Sequence, residues 1–178
     1  VAEIRKIVME AQKLVRSTGQ QTILFIDEIH RFNKAQQDVI LPYVEEGVFI
    51  LIGATTENPG FEIISPLLSR SRVFTLDRLG SNHIEILINR AISDCQRGLG
   101  SYSAVIEDKA AKFLADIVNG DARLALNTLD VAVKATRLSR DRVRRVNLAF
   151  IEDALQRNIV AFRKDGDDHY NFISAFIK

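Results

Sequence analysis

The chain has 178 residues, 47% of them hydrophobic and 26% charged, a balance that excludes a disordered or fibrous protein and fits one globular domain or two small ones. Its 24 basic against 23 acidic side chains leave a net charge of +1, so no general polyanion-binding field exists and any nucleic-acid contact must be local. A single cysteine, Cys95, excludes a disulfide framework and a cysteine-rich zinc site, and the longest uninterrupted apolar stretch, residues 48–52, is far too short to span a bilayer. A reducing compartment suits this cysteine usage, with the cytoplasm as the default. The chain opens inside an amphipathic pattern and stops just after Phe176 and Ile177, so it reads as an excerpt of something longer.

Ile4, Ile7, Val8, Ala11, Leu14 and Val15 follow helical spacing, which Ser17-Thr18-Gly19 ends. Residues 22–26 form a short apolar run closed by Asp27-Glu28, and residues 48–54 form a second; continuous apolar runs predict strands of a parallel sheet covered on both faces. Between them, Asn33 and Gln36 have the spacing of a capping box, and the helix they start carries Pro42, expected to kink it, before Gly47 ends it. Strand, helix and strand in that order predict a right-handed crossover. Ser65-Pro66 reads as an N-cap followed by proline at the first helical position, and residues 73–76 as a third strand. After Leu79-Gly80 helix signals dominate, which places a domain boundary there. Helices are expected from a capping box at Asn82 and Glu85, over residues 110–118, after the N-cap Asp121, and over residues 147–156. Cys95 falls on the apolar face of the first of these and is expected to be a buried small hydrophobe.

The sharpest chemical signal is Asp27-Glu28 at the carboxyl end of an apolar strand, the edge where open α/β sheets bind ligands. Adjacent acids repel one another unless a cation relieves them, as a magnesium ion bridging nucleotide phosphates would. Asp27 would then position the metal and Glu28 orient a water; two surface acids at a solvated strand end is the plainer alternative. If the strands are parallel, Thr55 and Thr56 reach the same edge, where a hydroxyl holds a water or senses a phosphate; a threonine-rich turn before Asn58-Pro59 is the alternative. Arg70 and Arg72 end a short helix, where its dipole favours cations in any case. Arg123 lies in the first turn of a helix, where the dipole disfavours it, so either a bound anion or Asp121 must compensate. His30, His83 and His169 lack metal-ligand spacing and read as structural or surface residues. Residues 137–145 hold five arginines against one aspartate, which is a solvated loop or a DNA-facing patch at Arg140, Arg142, Arg144 and Arg145.

Taken together, FIDEIHRFNKAQQD (residues 25–38), IGATTENP (52–59), LLSRSR (67–72) and GDARLALNTLD (120–130) resemble the AAA+ ATPases, and within them the group of replication-associated recombination protein A and the Werner helicase-interacting protein. Each motif is modest alone, but their order and spacing are specific. The resemblance implies a partial α/β AAA+ ATPase core with a parallel sheet and flanking helices (residues 1–79), an all-α helical lid (80–160), and the start of a linker to an oligomerisation domain (161–178). It also implies that Asp27 and Glu28 are the Walker B acids, Thr56 is sensor 1, Arg70 is an arginine finger acting in trans, and Arg123 is sensor 2. Implied cofactors are ATP and Mg2+. Implied partners are DNA at forks or single-strand/duplex junctions, further copies of the chain in a tetramer, and replication proteins such as single-strand-binding protein, with no membrane. The setting would be the bacterial nucleoid or the eukaryotic nucleus.

One departure stands out: no Gly-x-x-x-x-Gly-Lys-Ser/Thr loop occurs in the sequence, so the phosphate cradle is missing. In the resembled family the strand bearing that loop lies between those corresponding to residues 48–54 and 73–76. Exposed apolar faces are therefore expected in the core, and no ATP hydrolysis by the chain alone. Asp-Glu-Ile-His also looks like the box of nucleic-acid helicases, but a four-helix pattern follows where further helicase motifs belong. The remaining alternative is an inert AAA+-like scaffold or clamp-loader-type binding module.

Overall fold

Helix α1 (Ala2–Thr18) buries Val8 and Ala11, and Gly19, at φ +72°, closes it by donating its N–H to the Val15 carbonyl. The structure, a computed structural model, describes residues 2–162, with side chains described for residues 4–157. The expected linker beyond residue 162, His169 included, lies outside the described residues. The chain divides into two units at residues 75 and 76.

In unit 1, α1 is followed by β1 (Thr22–Ile26), α2 (Lys34–Glu45), β2 (Phe49–Gly53), α3 (Pro59–Glu62) and α4 (Ser65–Ser69). Strands β1 and β2 pair in parallel, Thr22 opposite Phe49 through to Ile26 opposite Gly53. The connecting helix starts as its sequence dictates: the Asn33 side-chain carbonyl oxygen accepts from Gln36 N–H at 2.9 Å, and the Gln36 side chain accepts from Asn33 N–H at 2.9 Å. It runs through Pro42 to Glu45, and Gly47, at φ +67°, turns the chain into β2. Val8, Ala11, Ile26, Ile29, Ile40, Val48 and Phe49 form the core.

Three expectations change here. The apolar runs are covered on one face only: Ile26 and Phe49 are buried, whereas Ile23, Phe25, Ile50 and Ile52 stand exposed among the described residues. Residues 73–76 do not form the expected third strand, although their composition suits one. A strand is a paired state, and among the described residues nothing hydrogen-bonds this run as a neighbour, leaving Phe74 72% and Leu76 91% exposed. Ser65 is also the first residue of α4 rather than its N-cap, which is Ile64.

Unit 2 comprises α5 (Ser81–Ser93), β3 (Ala104–Ile106), α6 (Asp108–Ile117), α7 (Ala122–Ala135), β4 (Arg144–Val146) and α8 (Leu148–Phe162). Ile84, Ile88, Leu114, Leu129, Val133 and Ile151 pack together at its centre. Asp121 caps α7, accepting from Leu124 N–H at 2.8 Å. Gly120, at φ +83°, has no room for a side chain, since a Cβ there would lie 2.6 Å from the Leu79 carbonyl oxygen. Helix α5 begins at Ser81, with the Gly80 N–H donating to His83 Nδ1 at 3.3 Å instead of a box at Asn82 and Glu85. It ends at Ser93, before Cys95, because the Asp94 carboxylate takes the N–H groups of Gln96 and Arg97 and offers the backbone an alternative to another helical turn. Those bonds hold the Asp94 carboxyl below its ordinary pKa. Cys95 is consequently exposed rather than buried. The helical unit also contains a pair of short parallel strands, β3 and β4, that the sequence pattern does not predict.

Candidate functional site

The parallel register decides where the polar residues go. Beyond Ile26 and Gly53 the ladder continues, Ala54 N–H donating to the Ile26 carbonyl and Ile29 N–H to the Ala54 carbonyl, both at 2.9 Å. Asp27-Glu28 and Thr55-Thr56 therefore leave the sheet at one edge, as the sequence predicts for parallel strands. Glu28 takes a left-handed conformation, φ 52° and ψ 47°, and a single 3-10 turn, Ile29–Arg31, follows it. An aspartate oxygen steadies the bend, Asp27 Oδ1 accepting from Glu28 N–H at 3.1 Å.

This bend returns the His30 ring onto the carboxylate two residues earlier. His30 Nε2 lies 3.1 Å from Glu28 Oε2, and on the other side of the ring Nδ1 lies 2.8 Å from Thr55 Oγ1. Thr55 Oγ1 also accepts from Glu57 N–H at 3.0 Å. His30 and Thr55 thus join Glu28 to the loop after β2, while Thr56 stands exposed one residue on. In the sequence His30 stands out by no metal-ligand spacing. The available signal is its place two residues after an acid at a strand end, which brings the two side chains together only if Glu28 adopts a positive φ.

Asp27 is exposed, and among the described residues no three His, Cys, Asp or Glu side chains cluster as a cage. Magnesium keeps several waters and takes one or two carboxylates together with phosphate oxygens, so a single open carboxylate at a sheet edge fits its nucleotide-bound form. What the sequence does not supply is the backbone cradle for the phosphates.

Arg70 belongs to unit 1 but faces elsewhere. Its guanidinium donates to the Pro66 carbonyl at 2.9 Å and pairs with Glu45 Oε1 at 2.7 Å. Arg72 instead lies over the exposed Phe74 ring, 5.0 Å from its centroid. Helix α4, which ends at Ser69 just before Arg70, is tied down by Gln37, a fully buried polar side chain within the 25–38 motif to which the sequence alone assigns no role. Gln37 Nε2 donates to the Phe32 and Glu62 carbonyls and its Oε1 accepts from Ile64 N–H, all at 2.9 Å. Arg123 sits in unit 2, exposed at the second residue of α7, beside its cap Asp121.

The arginine-rich stretch divides by role. Arg144 is half-buried in β4: its guanidinium donates to the Thr136 carbonyl and lies 5.9 Å from the Tyr102 ring centroid. Arg145 pairs with Asp141 at 2.6 Å. The Ser139 hydroxyl and Arg145 together lower the Asp141 carboxyl to about 2. Arg140 and Arg142 are exposed, and among the described residues neither has an ion-pair partner.

The chain is similar to known proteins along its whole length. Residues 1–78 match the family of ATPases associated with various cellular activities (AAA), and residues 100–178 match the AAA C-terminal domain. The chain belongs to the AAA ATPases. Over its whole length it is 43% identical to replication-associated recombination protein A of Haemophilus influenzae and 42% identical to that of Escherichia coli K12, covering 40% of each. It is 40% identical to ATPase WRNIP1 of Dictyostelium discoideum over 193 aligned residues, covering all of this chain and 22% of that one. Among solved structures, a Thermotoga maritima RuvB mutant superposes with a TM-score of 0.63 at 26% identity, over 92% of this chain and 53% of that one. The chain thus spans about 40% of the length of these two bacterial relatives. Its fold is that of an AAA core segment followed by a helical lid.

Proposed function

We propose that the full-length protein is a DNA-dependent ATPase of replication-associated recombination and repair, hydrolysing ATP to ADP and phosphate, and that this chain supplies the hydrolytic edge of its motor. What supports the reading is the β1–β2 register, which delivers two adjacent carboxylates and two threonine hydroxyls to one sheet edge. Asp27 would hold the magnesium ion of the nucleotide. That ion, when bound, offsets charge on the phosphate oxygens. Glu28 accepts a proton from the attacking water and orients it, its carboxylate already fixed in direction by His30. The Thr56 hydroxyl, exposed beside it, hydrogen-bonds the terminal phosphate. Arg123, near the N-terminus of α7, is the nucleotide-sensing arginine, sensor 2. Arg70 serves a neighbouring subunit's nucleotide, so the active form is an oligomer, and Arg140 and Arg142 contact DNA phosphates.

Because the sequence lacks the phosphate cradle, the chain alone is expected to hydrolyse ATP at background rate only. In the full-length protein, Asp27→Asn and Glu28→Gln separate the roles. Glu28→Gln should leave nucleotide affinity near wild type while turnover falls by orders of magnitude, and Asp27→Asn should weaken the magnesium dependence of binding. Equal loss of binding and turnover in Glu28→Gln would remove Glu28 from this role.

A further inference from the structure

We infer that His30 is a positioning residue for Glu28, acting as the middle member of a hydrogen-bonded chain that ties the carboxylate to the loop bearing Thr56. This rests on the ATPase reading above, in which Glu28 orients the water. The direction of each bond follows from chemistry. An ionised carboxylate only accepts, so the Glu28 oxygen 3.1 Å from His30 Nε2 requires a proton on Nε2. A neutral ring then has a bare Nδ1, which must accept from the Thr55 hydroxyl 2.8 Å away. Thr55 Oγ1 spends its one proton on that bond and uses a lone pair to accept Glu57 N–H at 3.0 Å. The order Glu57 N–H, Thr55 hydroxyl, His30 imidazole and Glu28 carboxylate is therefore polar in one direction and anchored at its far end on the backbone.

The anchor lies in the segment that carries Thr56. A shift of that loop, such as engagement of Thr56 with a phosphate would cause, moves Thr55 and so the ring that holds Glu28. Burial favours the coupling: the His30 side chain is only 17% exposed, which limits competition from water. Glu28 has little backbone freedom of its own to compensate, since it is held at φ 52°, where a non-glycine residue is strained. The linkage distinguishes Thr55 from Thr56. Adjacent in sequence, one hydroxyl positions the acid and the other faces the site.

The test uses the full-length protein, with hydrolysis measured at saturating ATP and affinity measured separately by equilibrium binding of a fluorescent ATP analogue. His30→Ala is expected to lower kcat by roughly 10- to 100-fold, the scale of a misplaced catalytic group, with nucleotide affinity within about twofold of wild type. His30→Gln, whose amide can still donate to Glu28, should recover part of the loss. Thr55→Val should resemble His30→Ala, Thr55→Ser should stay near wild type, and the His30→Ala/Thr55→Val double variant should lose no more than the worse single one, because both cut one chain. In this chain labelled with 15N-histidine, His30 should show protonated Nε2 and unprotonated Nδ1, a readout independent of how the alanine variant folds. The inference is overturned if His30→Ala leaves kcat unchanged, if Thr55→Ser and Thr55→Val lose activity alike, or if the ring carries its only proton on Nδ1. If Glu28→Gln abolishes hydrolysis while His30→Ala does nothing, the positioning role alone falls. If Glu28→Gln itself hydrolyses normally, the ATPase assignment of Glu28 and the role of His30 both fall.

Discussion

Replacing Gln37 by leucine should cost unit 1 much of its stability although the new side chain is apolar, similar in volume and fully buried. Gln37 makes three hydrogen bonds of 2.9 Å, two donated to the carbonyls of Phe32 and Glu62 and one accepted from Ile64 N–H. Each such bond contributes about 0.5–1.5 kcal/mol, and a buried group left without its partner costs about 1–3 kcal/mol. The Ile64 N–H is the exposed weakness, because it is fixed at the cap of α4, whereas the two carbonyls can recover solvent when the loop loosens. Improved apolar burial by leucine returns part of the loss at about 0.8 kcal/mol per methylene. The balance is a net destabilisation of about 2–3 kcal/mol, a large share of the roughly 5–15 kcal/mol that stabilises a domain. Urea unfolding followed by far-UV circular dichroism should show the midpoint of the unit 1 transition falling, and amide hydrogen exchange should show the Ile64 N–H losing protection before residues of β1 and β2 do. A change below about 0.5 kcal/mol with Ile64 still protected would refute the claim that Gln37 fastens α4 to α2.

Arg70→Ala subunits mixed with Glu28→Gln subunits of the full-length protein should regain activity where an intact finger meets an intact acid, since a finger is worth about 10³-fold or more; co-assembled mixtures as inactive as either parent would place Arg70 in cis. Arg140→Gln with Arg142→Gln should flatten the plot of log DNA affinity against log salt by up to about 0.9 for each phosphate no longer neutralised, whereas Arg144→Gln should act chiefly on stability because its guanidinium serves the Thr136 carbonyl and Tyr102; an unchanged slope in the double variant would return residues 137–145 to a solvated loop. Asp141 should titrate near pH 2 rather than at its ordinary 3.8, as followed by carboxyl carbon NMR. Its folded pKa is depressed, so the stability it contributes is fully present above 3.8 and lost as pH falls toward 2, and titration at the ordinary value would show the Ser139 and Arg145 interactions to be absent in solution.

What was legible in the sequence was whatever one short segment decides for itself. The capping box at Asn33 and Gln36, the cap at Asp121 and the apolar runs of β1 and β2 depend on residues within a few positions, and each forms as its sequence predicts. Residues 73–76 have the composition of a strand, but pairing needs a neighbour that composition cannot name. Helical periodicity misplaces Cys95 because it ignores a competing side chain, and the Asp94 carboxylate captures two backbone N–H groups and ends the helix just before it. The strands β3 and β4 are three residues each, too short for an alternating pattern to register. At the site, the acids and threonines were readable because a strand end exposes its next residues. The contact between Glu28 and His30 was not, because it depends on a left-handed conformation that glutamate rarely adopts.

Whether Glu28 activates water at this sheet edge is decided by single-turnover hydrolysis of ATP already bound to the full-length protein. Radiolabelled ATP is bound in excess enzyme, magnesium is added, and ADP is quantified over time for wild type and for Glu28→Gln. Bound ATP should be equal at time zero and hydrolysis slower in Glu28→Gln by about 10²- to 10⁴-fold, the usual contribution of a general base. Hydrolysis of the bound ATP by Glu28→Gln at the wild-type rate would contradict this role of Glu28.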